Sequence, residues 1–309
     1  MFHNRFLRLH VAIIITVLLL NGSVSAKVNS KQLSTKTLRS MARAYMAFGK
    51  YEKAHTLAGK AVQQAQAEGV ERGELALCMI DMGTVCSYEG SLSRARNYLE
   101  KGVSLQQEAL SKDHPYVAQT LRLLSDVYRQ QGDLKESERV LSNAVRIMLD
   151  HCDVESKEMA PFILEAGNLK YEQGQLDIAL DNYQKALDIY TQSYGSNHLM
   201  TANVLEKMAR LYLVKNEPGQ AGSFMQESLK IKNHIYGRYH PQLIDSWLEM
   251  ARICRYQGQR ERCEYYLAKS KEIASQSRNA ITMARIYKEI EQIRTEGFVA
   301  AAVSTNTVR

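Results

Sequence analysis

Apolar residues return along this chain in pairs of helical stripes, and each pair is centred on a short turn. One pair is centred on Gly132-Asp133, with Leu121, Leu124 and Tyr128 before the turn and Leu134, Leu141 and Ala144 after it. A 3.6-residue period on both sides predicts two amphipathic helices. The two-residue turn between them predicts that they run antiparallel, each burying its stripe against the other.

The same pattern recurs at a spacing of 42 residues. The turn position holds Gly49, Gly90, Gly132, Gly174, Asn216 and Gly258. Successive members are 42 residues apart, except that Gly49 and Gly90 are 41 apart. A fixed period of this length is the sequence signature of a solenoid, in which each unit contacts mainly its neighbours. The pattern therefore predicts six stacked helical hairpins in place of one globular core.

Two further positions carry small side chains in nearly every unit. The first helix holds Ala42, Gly83, Ser125, Gly167, Ala209 and Ala251, and the second holds Ala54, Ala95, Ser137, Ala179, Ala221 and Cys263. Small residues at facing positions predict that the two helices of each hairpin approach closely there.

The links between units carry a second motif. Gly237-Arg238-Tyr239-His240-Pro241, Gly195-Ser196-Asn197-His198 and Asp113-His114-Pro115 stand at equivalent positions. With the hairpin slots, this motif resembles the tetratricopeptide repeat (TPR), and more narrowly its 42-residue form in kinesin light chains and nephrocystin-like proteins. The resemblance covers about residues 34 to 275 and implies an all-α, right-handed solenoid. Its departures are Asn216-Glu217-Pro218 at one turn and the absent His-Pro before Met159.

The predicted organisation is six tandem repeats over 34–275, preceded by a short linker at 27–33. Residues 276–296 predict a capping helix, with Ile286, Ile290 and Ile293 on one stripe to cover the exposed end of the stack. Residues 297–309 lack a long periodic pattern and are predicted to form a flexible tail.

Residues 1–26 have the layout of a secretory signal peptide. Arg5 and Arg8 precede an apolar run from Val11 to Leu20, and Val24-Ser25-Ala26 supplies small residues for cleavage. This segment predicts export to a periplasm or secretion. The alternative is an uncleaved membrane anchor, although ten apolar residues are short for a bilayer span.

Charge and cysteine content narrow the function classes. Removal of residues 1–26 leaves 38 basic and 33 acidic residues, a net charge of +5 without a basic run, so nucleic acid is not predicted as a partner. The five cysteines form no disulfide framework, since Cys78 and Cys86 lie too far apart on one helix and Cys152 stands alone. Cys254 and Cys263 are left open as a bridge or as buried thiols.

No catalytic, cofactor or metal site is predicted. His114, His198 and His240 recur one repeat apart, so they do not converge on one ion and are interpreted as helix-start residues. The chain contains neither a Gly-x-Ser-x-Gly motif nor a phosphate-binding Gly-x-x-x-x-Gly-Lys loop. The chain is therefore predicted not to be an enzyme.

The resemblance implies that first helices line a concave groove where partners bind. The predicted groove residues are Arg39, Arg43, Tyr88, Arg122, Arg129, Asn168, Tyr171, Arg210, Arg252, Arg255 and Tyr256. Arginine grips carboxylates with two bonds and tyrosine is a low-entropy contact, so a protein or peptide with an acidic segment is the expected partner. The competing interpretation is a solvated face whose arginines pair with neighbouring acids.

The leading hypothesis is a non-enzymatic scaffold or adaptor. The alternative is a ligand-responsive regulatory receptor, or a membrane-tethered assembly factor, that acts through a separate output partner.

Overall fold

The computed structural model describes residues 33–276 and 280–295. The predicted signal peptide, nearly all of the linker and the predicted tail lie outside these ranges. Within them the chain forms thirteen α helices and no strand. The predicted fold class, an all-α solenoid, is therefore confirmed. No helix in the described ranges combines the length and the apolar character that a bilayer span requires.

The helices pair into six hairpins. Their bounds are α1 Thr35–Ala47 and α2 Tyr51–Glu68; α3 Arg72–Tyr88 and α4 Leu92–Ala109; α5 Pro115–Gln130 and α6 Leu134–Leu149; α7 Ala160–Glu172 and α8 Leu176–Tyr194; α9 Leu199–Val214 and α10 Pro218–Tyr236; α11 Ile244–Tyr256 and α12 Arg260–Gln276. A short 3₁₀ turn, Pro241–Leu243, precedes α11, and α13, Ala280–Thr295, follows the last hairpin. Ile286, Ile290 and Ile293 of α13 are buried, so this helix covers the end of the stack.

The six turn residues share a left-handed backbone. The five glycines have φ between 68° and 81°, and Asn216, with φ 60°, is the one non-glycine residue of positive φ in the described ranges. In each turn the next residue donates its amide to a carbonyl five positions earlier, as Asp133 does to Tyr128 at 3.0 Å. This closure of a helix end explains why only glycine or asparagine occupies the position.

The small slots bring the paired helices together as predicted. A Cβ atom at Gly167 would lie 2.7 Å from the Tyr183 ring, and one at Gly83 would lie 2.8 Å from Cγ of Leu99. Ser125 and Ser137, which fill facing slots in the third hairpin, are fully buried and hydrogen-bond to each other at 3.0 Å. The interiors of the second and fourth hairpins therefore have no room for a larger residue at these crossings, and in the third the two serines fill the crossing.

The recurring link histidines are helix caps. Nδ1 of His114, His198 and His240 accepts the backbone amide two residues ahead, at 3.1, 3.2 and 3.3 Å. The rings of Tyr194 and Tyr236 stack on His198 and His240, each with centroids 4.6 Å apart. The interpretation as helix-start residues agrees with this geometry, since a ring nitrogen that accepts a backbone amide is not free to bind a metal.

The first and last hairpins meet at a contact that the sequence did not predict. Nε2 of Gln242 donates to the carbonyl oxygen of Ala47 at 3.0 Å, across 195 residues of chain. Beside this bond the rings of Phe48 and His240 lie 6.0 Å apart. These four residues are called the seam below. The seam joins the turn of the first hairpin to the link before the sixth.

Replacement of Gly167 by alanine tests the close approach. We expect Gly167→Ala to lower the free energy of unfolding by about 1–3 kcal/mol, because the new methyl group meets the buried Tyr183 ring. Gly59→Ala is the matched control, since no atom lies within 4 Å of its Cβ position, and it should raise stability by about 0.5–1 kcal/mol. Urea unfolding followed by circular dichroism measures both. Equal effects would contradict the packing argument.

Titration of His240 provides a second test. Burial lowers the pKa of His240 below its ordinary value of 6.5, so the unfolded chain binds the proton more readily in the window between the two values. The free energy of unfolding should therefore fall as the pH drops from 7.5 through this window. His240→Asn keeps a capping oxygen without this titration. Its urea midpoint should fall less between pH 7.5 and 5.5 than that of the wild type, and equal falls would exclude this role for His240.

Candidate functional site: the inner wall

The first helices of the hairpins form the inner wall of the stack. Neighbouring first helices contact one another at α1–α3, α3–α5, α5–α7 and α7–α9, and α11 contacts α13 in the same way. Second helices of neighbouring hairpins make no comparable contact within the described ranges. Helices that touch across repeats lie at the smaller radius, so the first helices form the concave side of the stack.

The N-terminal part of the inner wall is occupied by an ion pair. Nε of Arg39 lies 2.8 Å from one oxygen of Asp81, and Nε of Arg43 lies 2.7 Å from the other. Arg39 and Asp81 are both buried, whereas the Arg43 side chain is half-exposed. Asp81 therefore holds the first hairpin to the second through two arginines.

Arg129 is the centre of a larger network. Its Nε lies 2.8 Å from Glu165 on the next first helix, and the guanidinium also contacts Asp126 and Glu172. Burial acts against the charged guanidinium, but Glu165 and Asp126 outweigh it and raise the pKa of Arg129. Burial, followed by the Asp126 charge, raises the pKa of Glu165 against the opposing effect of Arg129.

Asn168 and Tyr171 belong to the same part of the wall. The Asn168 amide donates to Glu165 at 2.9 Å and its carbonyl accepts from the Tyr183 hydroxyl at 3.1 Å. Asn168 is thus buried and hydrogen-bonded on both sides. Tyr171 is half-buried, and desolvation raises the pKa of its hydroxyl.

Glu249 performs a similar role near the C-terminal end. Its carboxylate lies 2.9 Å from Nη1 of Arg252 and 3.5 Å from Nε of Arg210. The second contact lacks hydrogen-bond geometry, because Nε of Arg210 is buried without a hydrogen-bond partner. Arg252 also pairs with Glu289 of α13, which connects the sixth hairpin to the capping helix.

The remaining predicted residues contact aromatic rings. The Arg122 guanidinium lies 6.0 Å from the Phe162 ring, and Nε of Arg122 is buried without a hydrogen-bond partner. Arg255 lies 4.8 Å from the ring of its neighbour Tyr256. Tyr88, with 63% of its surface exposed, stacks on Tyr51 with ring centroids 5.5 Å apart.

Four contacts between one helix of the inner wall and the next recur along the wall, and we call them the inner ladder. They are Arg39–Asp81, Arg129–Glu165, Arg210–Glu249 and Arg252–Glu289. Much of the predicted arginine set is therefore paired with acids of the next helix of the inner wall, as the competing interpretation proposed. Among the predicted arginines, Arg122 has no acidic partner within the described ranges.

The acids of the ladder were missed in the choice of groove residues. Asp81, Glu165 and Glu249 occupy the same slot as Arg39, at multiples of 42 residues. Lys207 fills that slot on α9 and was also missed. Burial, followed by the charges of Arg210 and Arg129, lowers the pKa of Lys207. The 42-residue spacing carried a signal for these residues, because it places acidic and basic side chains in the same slot of successive first helices.

One cluster outside the inner wall has the residue types of a metal site. Ligand atoms of His55, Cys86 and Glu89 lie within 4.8 Å of one another. Nδ1 of His55 lies 2.7 Å from Glu89, and its Nε2 lies 3.3 Å from Nη2 of Arg94. Both ring nitrogens are thus engaged, and a guanidinium beside them disfavours a second cation.

All five cysteines, including Cys254 and Cys263, are free thiols.

Comparison with known families agrees with this architecture. The family described as "MalT-like TPR region" matches residues 131–303, more than half of the chain. The chain belongs to the tetratricopeptide-repeat family. A second description, "Tetratricopeptide repeat", matches residues 33–108 and 95–150 of this TPR protein.

A curated relative supports the narrower resemblance to kinesin light chains. Protein KINESIN LIGHT CHAIN-RELATED 1 of Arabidopsis thaliana is 21% identical over 239 residues, which cover 64% of this chain. The match spans 39% of the relative's length, so the chain corresponds to less than half of that protein. The TPR protein is thus kinesin-light-chain-like in its repeats.

Two solved structures share the fold. The crystal structure of BtubC (BKLC) from P. vanneervenii has a TM-score of 0.55 at 16% identity, covering 79% of this chain and 92% of that one. The crystal structure of NprR in complex with its cognate peptide NprX has a TM-score of 0.65 at 15% identity, covering 90% and 76%. At these identities the similarity shows the fold alone.

The inner ladder generates a stability prediction. We expect Asp81→Ala to lower the free energy of unfolding by about 3 kcal/mol, because it leaves Arg39 buried without its acid. Glu108→Ala is the control, since it breaks an exposed pair with Arg72 and should change stability by less than about 1 kcal/mol. Urea unfolding measures both variants. A similar small change in the two would show that the ladder does not stabilise the stack.

Proposed function

We propose that this TPR protein is a non-enzymatic scaffold that binds a segment of a partner protein along the inner wall. The family supports a role in protein–protein interaction. The neighbour NprR was solved with a peptide, which supports a peptide as the ligand of such a stack. Several contacts spread over the repeats would supply the affinity, since no single deep site is required.

The observation that carries this proposal is the difference between the two kinds of inner cation. Arg39, Arg129 and Arg252 hold repeats together through hydrogen bonds to acids of their own. Arg122 has no acidic partner in the described chain, and Nε of Arg210 lacks a hydrogen bond despite its nearby acid. Both side chains are partly exposed, so the accessible part of each guanidinium can bind a carboxylate of a partner. Arg122 and Arg210 are therefore the proposed contacts for an acidic segment.

The second candidate is a ligand-responsive receptor, and the seam favours it. The structure has the seam formed, and a second arrangement with the seam broken is part of this proposal. A peptide that favoured one of them would change the surface offered to an output partner. A change in the small-angle scattering curve on ligand addition would distinguish this receptor from a passive scaffold.

Export of the chain is a proposal that depends on residues 1–26. The charged start, apolar run and small-residue site support cleavage, and an uncleaved anchor would instead tether the repeats to a membrane. N-terminal sequencing of the mature protein distinguishes the two.

Charge reversal on the inner wall tests the scaffold proposal. We expect Arg122→Glu with Arg210→Glu to reduce capture of a specific partner at least tenfold, because both contacts to its acidic segment become repulsive. The matched control is Arg139→Glu with Arg146→Glu on α6, which makes the same charge change at exposed positions of a second helix. The readout is quantitative mass spectrometry of proteins captured from the exported fraction, with circular dichroism to confirm folding. Equal capture by both double variants would refute the proposed surface.

A further inference from the structure

The seam makes the inner wall a closed ring. The chain leaves the seam at Ala47 and returns to it at Gln242, and the first helices α3, α5, α7 and α9 lie between these two points. Neighbouring members of this set contact each other. Arg210 of α9 lies 3.5 Å from Glu249 of α11, which follows the link, so the wall continues from one side of the seam to the other. A group outside the ring can then reach the inner wall along the ring axis but not from the side.

Aromatic side chains extend the contact beyond the seam itself. His240 is half-buried between the Tyr236 ring, stacked at 4.6 Å, and the Phe48 ring at 6.0 Å. Desolvation, followed by the charges of Glu206 and Tyr88, raises the pKa of the Tyr236 hydroxyl. The link before the sixth hairpin is thus packed by rings on both sides of His240.

The contact is small. It consists of one solvent-exposed hydrogen bond and one tilted ring pair, and the Ala47 side of it is exposed. Contacts of this kind favour the closed seam over the open one by roughly ten- to a hundredfold in population. Other contacts between hairpins involve whole helices with buried cores. The seam is therefore the part of the ring that opens most readily.

We propose that the seam is a clasp that controls which partners reach the inner wall. With the clasp closed, an extended peptide can enter along the axis, whereas a folded domain is excluded. With the clasp open, a wide partner can approach from the side. This inference rests on the proposed function only for the choice of the inner wall as the binding surface.

The test compares the access of small and large reagents to a cysteine on the inner wall. Asn203 of α9 is exposed and lies one and two helical turns before Lys207 and Arg210, so Asn203→Cys serves as the inner reporter. Lys185→Cys on the second helix α8, also exposed, is the outer control. Both carry Cys152→Ser, because Cys152 is the one native cysteine that is not buried. The clasp is broken by Phe48→Ala with Gln242→Ala.

Two reagents are used, N-ethylmaleimide and a maleimide attached to a folded domain of about 10 kDa. With the clasp intact we expect the folded conjugate to label Asn203→Cys at least tenfold more slowly, relative to N-ethylmaleimide, than it labels Lys185→Cys. Breaking the clasp should raise the rate for the conjugate at Asn203→Cys about tenfold and leave the other three rates unchanged. Equal conjugate rates at Asn203→Cys with the clasp intact and broken would overturn the proposal.

A second measurement covers the case in which the clasp variant unfolds. Spin labels at Lys50→Cys and Arg238→Cys stand on opposite sides of the seam at exposed positions. The four seam residues carry no substitution in this variant. We expect the distribution of distances between the two labels to have one short, narrow peak and a minor longer component. A broad distribution without the short component would overturn the proposal. Neither measurement uses a partner protein, so failure of the clasp leaves the scaffold proposal to be decided by its own capture experiment.

Discussion

The close approach of two helices within each hairpin is the constraint on which the rest of the structure depends. Small residues at facing slots let side chains such as Leu99 and Tyr183 reach the backbone of the partner helix. The left-handed turn then reverses the chain with a similar backbone conformation in every unit. Because both features repeat at one spacing, the hairpins stack in one direction and their first helices come together on one side. The inner wall exists because this geometry is repeated.

Most of the charged side chains on the inner wall pair with one another and hold neighbouring hairpins together, which leaves few of them for a ligand. The ladder joins each participating first helix to the next one, and its acids are among the least exposed charged groups of the described chain. Burying such pairs gains little net free energy, but removal of one partner is costly. The ladder therefore favours one register between neighbouring hairpins over shifted ones. What remains for binding is the smaller set of cations, chiefly Arg122 and Arg210, whose donors are incompletely used.

Much of the fold could be predicted because it depends on local, repeated information. Asn216 was placed in a glycine slot by spacing alone, and its φ of 60° shows that the slot has one backbone conformation. The three link histidines could be interpreted as caps for the same reason. The candidate site was less predictable. Whether Arg129 faces solvent or Glu165 depends on the rotation between repeats, which a list of slots does not contain. The seam depends on curvature summed over five hairpins, so no short stretch of sequence carries its signal.

The seam also changes how disturbances spread through the repeats. In an open array each unit has a neighbour on either side, the end units have one, and fraying starts at those ends. Here the turn at Phe48 has a second neighbour in the link at His240. A destabilising change in the sixth hairpin can consequently affect the first hairpin without acting through the four hairpins between them. While the seam is closed, the two ends of the array are therefore linked directly, and the order of repeats along the chain no longer equals their order of mutual influence.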